Sequence, residues 1–431
     1  MSLSTKLVRL SDIKKTNAKL RLHSTTQSKK ALQIFKRQGI VTPIILDEQL
    51  EIIDGRLRFE IAQELGLETL NCVILRGLSE VQKKELSLSL NRLNEDSKWD
   101  PIQLKLHLEA ILEFEADLSF TGFEQAEIDS ALTFQVIPEQ CSEDLMPLPD
   151  HVSRLGDVWC IGDHLLICGN SLEAQNLLSQ HMNEPAKLLC TDPPYNVQVG
   201  THVRVNKGHC EFPMASGEMS NHEFERFLDC FIAASLPFIC TEAMIYIFMD
   251  WRHITHLTSA ASNNKLIQQN LCIWAKTNGG MGSFYRSQHE LIGVFSRSAK
   301  FQNNIQLGKF GRYRTNVWNY PGVTSFGATR TEDLADHPTV KPTQLIADII
   351  LDCTSIRDAV LDPFLGSGTT LLAAEQTKRR GIGIELDPQY VDVAIRRLLQ
   401  THGLSAIHSE TSLSYEDLKK ERSSQKETSH V

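Results

Sequence analysis

The chain has 431 residues, of which 41% are hydrophobic and 23% are charged. This composition is typical of a folded protein and excludes a wholly disordered one. The glycine and proline contents, 24 and 15 residues, exclude collagen-like and proline-rich architectures. At about 100–200 residues per domain, the length predicts two or three domains.

Charge is distributed unevenly along the chain. The net charge is −9, which taken alone disfavours a nucleic-acid partner. Residues 1–40, however, carry a net charge of +9 and residues 271–320 carry +6, whereas residues 100–150 carry −11. The two basic segments can present positive surfaces to an anionic polymer despite the negative sum. Nucleic-acid binding therefore stays open.

The cysteines and the N-terminus predict a cytoplasmic protein. None of the ten cysteines belongs to a C-x-x-C motif or to a metal-ligand spacing, so we expect reduced thiols and no metal site. The first residues lack the apolar stretch of a signal peptide. The apolar run at 231–249 contains Pro237 and Glu242, and it predicts a buried helix followed by a buried strand rather than a membrane span.

Residues 1–95 predict a small α/β domain. Its predicted elements are two short strands, a helix and a further strand, at residues 41–46, 51–53, 56–65 and 71–75. Gly55, Arg56 and Arg58, where the helix begins, form a candidate phosphate-binding corner, because free N–H groups and the helix dipole favour anions there. The segment 40–66 resembles the N-terminal domain of the ParB family, in which a Gly-x-Arg-Arg-like turn grips a nucleotide or phosphate, and Arg58 is the best-matched arginine.

Three further segments complete the predicted organisation. Residues 96–150 predict an acidic helical linker; a helix-turn-helix is the alternative, but a net charge of −11 would repel phosphate. The prolines at 147 and 149 mark the start of a large domain, residues 151–404. Residues 405–431 are poor in apolar side chains and predict a disordered tail.

A glycine-rich loop, Asp362-Pro-Phe364-Leu-Gly366-Ser-Gly368, lies between an apolar run and a helical run. Such a loop lets the backbone approach a ligand closely. It lacks both the Gly-Lys-Ser/Thr of a Walker loop and the third glycine of the dinucleotide fingerprint. The next predicted strand ends at Glu385, where a carboxylate can accept hydrogen bonds from ribose hydroxyls.

The sharpest feature is a short apolar strand, 188–190, that leads into Asp192-Pro193-Pro194-Tyr195. Two consecutive prolines fix φ and remove two N–H donors. The Pro193 carbonyl is therefore held as an acceptor beside the Asp192 carboxylate, with the Tyr195 ring just beyond. Two acceptors next to a stacking surface suit a planar group that carries an exocyclic NH₂.

These motifs resemble those of the DNA amino-methyltransferases, which transfer a methyl group from S-adenosylmethionine to the exocyclic amine of adenine or cytosine. The segment 192–195 matches the catalytic motif of that family, and 364–368 matches its cofactor loop. The order, with the catalytic motif first, is that of the permuted β group. The resemblance implies a permuted Rossmann-like α/β fold, a flipped target base, no covalent enzyme intermediate and S-adenosylmethionine as the cofactor.

The resemblance also implies a set of site residues. The segment 337–342 matches a third motif, near the methionine end of the cofactor, while 274–276 and 285–290 match further segments of the β group. Asn170 stands where the group usually has an acid that contacts adenine. The expected cofactor-binding residues are Asn170, Asp192, Thr339, Lys341, Asp362, Phe364, Gly366, Gly368 and Glu385.

The basic segment 271–320 lies inside the region, about 200–330, where the β group inserts its target-recognition residues. Basic side chains interleaved with aromatic ones suit phosphate contact and base stacking. The candidate DNA-binding residues are Arg286, Arg297, Lys300, Lys309, Arg312 and Arg314.

The resemblance implies a restriction-modification type methyltransferase that acts on N6 of adenine in double-stranded DNA, because aspartate rather than serine precedes the two prolines. Cytosine N4 is the alternative target. A second alternative, from another class, is a ParB-like DNA-binding regulator with an inactive methyltransferase domain. No membrane partner is expected, and a homodimer stays open.

Overall fold

The computed structural model describes residues 2–15, 20–96, 98–114, 117–132, 151–197, 217–277, 279, 284–307, 314–321 and 341–428. The chain divides into two compact units, residues 1–133 and 134–431.

The first unit contains a four-stranded sheet and five helices among its described residues. In chain order these are β1 (Ser2–Arg9), α1 (Thr25–Gln38), β2 (Ile44–Leu46), β3 (Ile52–Asp54), α2 (Arg56–Glu64), β4 (Thr69–Arg76), α3 (Glu80–Asp96), α4 (Pro101–Glu113) and α5 (Gln125–Leu132). The strand order is β1-β4-β2-β3, with β2 parallel to β4 and the other two pairs antiparallel. The predicted strands and helix between residues 41 and 75 are confirmed, whereas β1 was not predicted.

The acidic segment after residue 96 belongs to the first unit as far as it is described. The Lys30 ammonium on α1 lies 2.6 Å from Glu124 Oε1. The Arg37 guanidinium on the same helix lies 4.2 Å from the ring centroid of Phe120. These contacts pack the segment against α1, so the predicted domain boundary at residue 95 is wrong and residues 96–132 are not a free linker. Residues 133–150 lie outside the described residues.

The second unit is built on one ten-stranded sheet. Its elements are β5 (Val158–Ile161), β6 (His164–Cys168), α6 (Ala174–Leu178), β7 (Ala186–Thr191), α7 (Asn221–Ser235), β8 (Ile239–Met249), α8 (Ile254–Asn263), β9 (Ile267–Ala275), β10 (His289–Ser296), β11 (Val317–Asn319), α9 (Thr343–Cys353), β12 (Ala359–Asp362), α10 (Thr369–Gln376), β13 (Arg380–Glu385), α11 (Pro388–His402), β14 (Ala406–His408) and α12 (Tyr415–Thr428). The strand order is β11-β9-β10-β8-β7-β12-β13-β6-β5-β14.

The centre of this sheet is parallel and is covered by helices on both faces. Strands β8, β7, β12, β13 and β6 pair in parallel, and β10 runs antiparallel to β8. Leu189 of β7 packs in one core with Phe224 of α7, whereas its neighbour Leu188 packs in a second core with Leu345 of α9. Successive strand residues point to opposite faces, so both faces of β7 are buried. The predicted α/β fold is confirmed.

Two further predictions about the large unit can be compared with the structure. The apolar run at 231–249 folds as the end of α7 followed by β8, as predicted. The predicted disordered tail is wrong for residues 406–428, which form β14 and α12. Tyr415 and Leu418 are buried there, and Arg422 Nη2 donates a 3.0 Å hydrogen bond to Asp157 Oδ1. Within the described residues, no helix is both long enough and apolar enough to cross a membrane.

Candidate functional site

The predicted site residues converge at the carboxyl edge of the parallel strands. Strand β7 ends at Thr191, and the adjacent strand β12 ends at Asp362. Asp362 Oδ1 accepts hydrogen bonds from the Thr191 hydroxyl at 2.6 Å and from the Phe364 N–H at 3.1 Å, and Oδ2 accepts one from the Thr370 hydroxyl at 2.6 Å. Burial raises the pKa of Asp362 to about 6, because these hydrogen bonds only partly offset the lost hydration. Asp362 thus fastens the glycine loop to the strand that carries the catalytic motif.

Glycine stands at positions 366 and 368 of the loop for different structural reasons. Both have positive φ, +56° at Gly366 and +87° at Gly368, a conformation that favours glycine. A Cβ at Gly368 would lie 2.7 Å from the Cβ of Ala394, so this glycine lets α10 pack closely on α11. A Cβ at Gly366 would meet no described atom within 4 Å. Gly366 therefore borders open space that a ligand can enter.

Glu385, at the end of β13, is held beside this space by two backbone N–H groups. Its Oε2 accepts from Gly366 at 2.7 Å, and its Oε1 accepts from Asp387 at 2.8 Å. Burial raises the pKa of Glu385 to about 7 despite the two N–H donors, which favour the ionised form. Each carboxylate oxygen keeps a second acceptor position, which suits ribose hydroxyls.

Asn170 lies at the same edge, just after β6. The Gly169 N–H donates to the Glu385 carbonyl at 2.8 Å, which places Asn170 next to the end of β13. Asn170 Oδ1 accepts the Leu172 N–H at 3.0 Å, so its Nδ2 donor is not used in this cap. The side chain can therefore donate a hydrogen bond to a ligand but has lost one acceptor position to the cap.

The catalytic motif follows β7 directly, and Pro193 and Pro194 connect its acid to its aromatic ring. The Tyr195 hydroxyl donates to Asp192 Oδ1. The Lys341 Nζ lies 2.7 Å from Asp192 Oδ2. Burial raises the pKa of Asp192, although the Lys341 charge opposes that effect. Both carboxylate oxygens are thus occupied by neighbouring side chains.

Two charged residues of the site, Glu290 and Lys276, were not among the predicted site residues. Glu290 Oε2 lies 2.8 Å from Lys341 Nζ, and its Oε1 lies 2.5 Å from Lys276 Nζ. Burial would raise the pKa of Glu290, but the two ammonium groups outweigh it and lower the pKa to about 2. The sequence does contain a signal, because Glu290 is the single acidic residue of the basic segment 271–320.

The candidate DNA-binding arginines divide into partly buried and exposed ones. Arg314 Nε lies 2.8 Å from Asp352 Oδ2, and its guanidinium stacks 4.7 Å from the ring centroid of Trp318. Arg297 Nη1 donates to the carbonyls of Leu236 and Ile239 at 2.8 and 2.6 Å. These contacts give both arginines structural roles within the unit.

The remaining candidates keep their prediction. Arg286 and Lys300 are exposed, and Arg286 follows two exposed rings, Phe284 and Tyr285. Lys309, Arg312 and the predicted cofactor residue Thr339 lie outside the described residues.

The predicted phosphate-binding corner of the first unit has the expected backbone. Gly55 precedes α2 with φ of +99°, and a Cβ there would lie 2.6 Å from Ile44 Cγ2. Both arginines are paired locally, Arg56 Nε with Glu60 Oε1 at 3.0 Å and Arg58 Nη2 with Asp54 Oδ2 at 2.6 Å. An anion must therefore compete with a carboxylate at each arginine.

Comparison with known proteins points to one family for the large unit. Residues 186–396 match the profile of the DNA methylase family. The type II methyltransferase M.HpaI of Haemophilus parainfluenzae is 27% identical over 251 residues, which cover 55% of this chain and 74% of that protein.

Solved structures resemble parts of the chain more distantly. The M1.HpyAVI–SAM complex is 24% identical, covers 54% of this chain and 98% of its own, and has a TM-score of 0.40. The truncated partition protein ParB of Caulobacter crescentus, complexed with CTP-γ-S, is 14% identical, covers 32% of this chain and 81% of its own, and has a TM-score of 0.27.

The matched segment contains almost all of the described site. Asp192, Glu290, Lys341, Asp362 and Glu385 all lie within residues 186–396, whereas Asn170 precedes them. The geometry and the family match agree on the same edge of the sheet. Residues 186–396 of this chain thus resemble the DNA methylase family over the segment that contains most of the described site.

Proposed function

We propose that the protein is an S-adenosylmethionine-dependent methyltransferase that modifies the N6 amine of adenine in double-stranded DNA. The observation that carries this proposal is the position of Asp192 and Tyr195. They follow β7 at the same edge where Gly366 and Glu385 border an open space. An amine acceptor and a cofactor cradle on neighbouring strands are what direct methyl transfer requires.

The residues at the ends of β6, β12 and β13 fit the proposed cofactor. Glu385 offers two acceptor positions for ribose hydroxyls, Asn170 offers a donor for the adenine ring, and Gly366 leaves room for close backbone contact. When bound, this cofactor would supply a methyl group on a sulfonium sulfur. The amine nitrogen would take the methyl group as the S–CH₃ bond breaks, leaving a neutral thioether, and one amine proton would pass to solvent.

Asp192 and Tyr195 would handle the target base. A base in a duplex must be flipped out before it can reach Asp192, at a cost of a few kcal/mol. Stacking on the Tyr195 ring would return about 1–3 kcal/mol. The Asp192 carboxylate and the Pro193 carbonyl would then accept hydrogen bonds from the two N–H groups of the amine and orient the nitrogen. The Tyr195 hydroxyl already donates to Asp192 Oδ1, so the arriving amine would share or take over that acceptor oxygen.

Aspartate before the two prolines supports adenine as the target, with cytosine N4 as the competing outcome. The test incubates the full chain with unmethylated phage DNA and S-adenosylmethionine carrying a labelled methyl group. The DNA is then hydrolysed to nucleosides, which are separated. Label in N6-methyladenine supports the proposal. Label in N4-methylcytosine would show that the target is cytosine instead of adenine.

Variants of the motif make the assignment of the site specific. Asp192→Ala and Tyr195→Ala are expected to abolish methyl transfer while the chain still folds. Asp250→Ala is the matched control, because Asp250 follows the neighbouring strand β8 and pairs with Arg252 instead. Full activity in either motif variant would contradict the assignment.

We also propose that residues 1–95 are the ParB-like part of the first unit and that the Gly55 corner binds a phosphate group. The left-handed Gly55 at the start of α2 and the net charge of +9 in residues 1–40 support this. A phosphate would displace Asp54 from Arg58. Binding of a fluorescent nucleotide to the full chain, lost in Arg58→Gln and kept in the surface variant Lys36→Gln, would support the proposal.

A further inference from the structure

Four charged side chains from separate segments meet beside the catalytic motif. Lys341, which precedes α9, lies 2.7 Å from Asp192 Oδ2 and 2.8 Å from Glu290 Oε2. Glu290 in β10 is also bound by Lys276, which follows β9, at 2.5 Å. The four groups form a continuous chain, Asp192–Lys341–Glu290–Lys276, with two negative and two positive charges.

The centre of this chain is withdrawn from water. The side chain of Lys341 is 8% exposed and that of Glu290 is 12% exposed. Three aromatic rings lie near the Lys341 ammonium, with centroids 5.2, 5.6 and 5.8 Å away, from Phe248, Tyr195 and Trp274 respectively. Ring faces and two carboxylates together compensate a buried cation. The surroundings of Lys341 therefore stabilise its charged form at this buried position.

The Tyr195 hydroxyl sits at the junction of the same groups. It donates to Asp192 Oδ1 and lies 3.1 Å from Glu290 Oε2 and 3.3 Å from Lys341 Nζ. If an amine takes over Asp192 Oδ1, the hydroxyl still has Glu290 as an acceptor within reach. Glu290 can keep that role because its pKa, held near 2 by the two lysines against the effect of burial, leaves it ionised.

We propose that Lys341 and Glu290 are positioning residues for the target amine, and that Lys341 acts through Asp192 rather than through the cofactor. Lys341 holds Asp192 by Oδ2, so that Oδ1 is turned to the substrate. Glu290 anchors Lys341 and accepts the Tyr195 hydroxyl when the amine displaces it. This inference rests on the proposed methyltransferase function and reassigns Lys341, which the sequence placed with the cofactor residues.

The experiment compares steady-state kinetics of full-length variants, with labelled S-adenosylmethionine and unmethylated phage DNA varied in turn. Losing one partner of a buried charge pair costs enough that Lys341→Met is expected to lower kcat at least about 100-fold. The KM for S-adenosylmethionine should stay within about 3-fold of the wild-type value, because Lys341 does not bind the cofactor in this proposal. Lys341→Arg, which keeps the charge, should recover kcat to within about 10-fold of wild type.

Lys276→Met serves as the matched control. Lys276 also pairs with Glu290 but shares no described contact with Asp192, so this variant should lose less than about 10-fold in kcat. Glu290→Gln keeps an acceptor oxygen but loses the charge, and it should fall between the two lysine-to-methionine variants. Melting temperatures measured on each variant identify those that fail to fold.

If Lys341→Met is too unstable to assay, the double variant Lys341→Met/Glu290→Gln is compared with wild type instead. The double variant removes one positive and one negative charge, so no buried charge is left unbalanced. The same loss of kcat is expected there. A raised KM for S-adenosylmethionine with kcat retained would overturn the proposal and return Lys341 to the cofactor site. A wild-type chain that transfers no methyl group would contradict the proposed function itself, and the positioning role with it.

Discussion

The hydroxyl of Thr191 donates a 2.6 Å hydrogen bond to the carboxylate of Asp362, and this bond joins the strand of the catalytic motif to the strand of the glycine loop. Both side chains are buried, 1% and 4% exposed. Thr191 is the last residue of β7, and the next residue, Asp192, pairs with Lys341 beyond the strand end. The bond therefore fixes the end of β7, which leads into Asp192, relative to the glycine loop that follows β12.

Replacing Thr191 with valine should lower the free energy of unfolding by about 1–3 kcal/mol, because a buried acceptor loses its donor while the volume is kept. Thr191→Ser is the control, since it retains the hydroxyl. Urea denaturation of the two variants and of wild type measures the difference. Equal stability of the valine and serine variants would show that the bond contributes nothing measurable.

Alanine at Gly368 should mainly reduce stability, whereas alanine at Gly366 should mainly weaken cofactor binding. Gly368→Ala places a Cβ 2.7 Å from Ala394 Cβ and should lower the melting temperature clearly. Gly366→Ala meets no described atom, so it should cost only the conformational penalty of about 1–2 kcal/mol. Calorimetric titration with S-adenosylmethionine should nevertheless show that Gly366→Ala weakens binding strongly. Unchanged affinity in this variant would argue against a cofactor in that space.

The raised pKa of Glu385 predicts a pH dependence of stability. The folded chain holds this proton up to a pKa of about 7, whereas the ordinary value is 4.5. The folded state therefore binds more protons between these values, and this residue makes stability fall as pH rises through that window, by at most about 3 kcal/mol. Glu385→Gln should remove this contribution. The test is the difference in unfolding free energy between wild type and variant from pH 4.5 to 7.5, which should change with pH; a constant difference would contradict it.

The two classes of basic residues in segment 271–320 should respond differently to substitution. Arg314→Ala leaves Asp352 buried without its partner and should destabilise the protein by about 3–5 kcal/mol. Arg286→Ala should leave the melting temperature unchanged, weaken DNA binding and reduce the salt dependence of binding by about one phosphate contact. Urea denaturation measures the stability of the two variants, and fluorescence anisotropy of labelled DNA at several salt concentrations measures their DNA binding. A DNA affinity that does not depend on salt would contradict electrostatic contact by this segment.

The sequence by itself determined the strands and loops that are built from a few consecutive residues. Strand β7 followed by Asp192 and two prolines, and strand β12 followed by a glycine loop, are each set by a few consecutive residues. The apolar runs place these motifs at strand ends, and parallel pairing brings strand ends to one edge. The fold class and the shared position of these two motifs at one edge of the sheet could therefore be predicted locally.

Only the tertiary structure decided which charges share the site. Glu290 and Lys341 are 51 residues apart, and Lys341 and Tyr195 are 146 apart. They meet because β10 enters the sheet antiparallel beside β8, which turns the start of β10 toward the end of β7.

Tertiary contacts also decided which arginines have structural roles and which are exposed. They likewise gave the polar segment after residue 404 its strand and helix. Arg314 finds Asp352 on α9, and Arg422 on α12 finds Asp157 at the start of β5. Composition does not reveal such partners, because a charged side chain is buried only where the fold supplies its counter-charge.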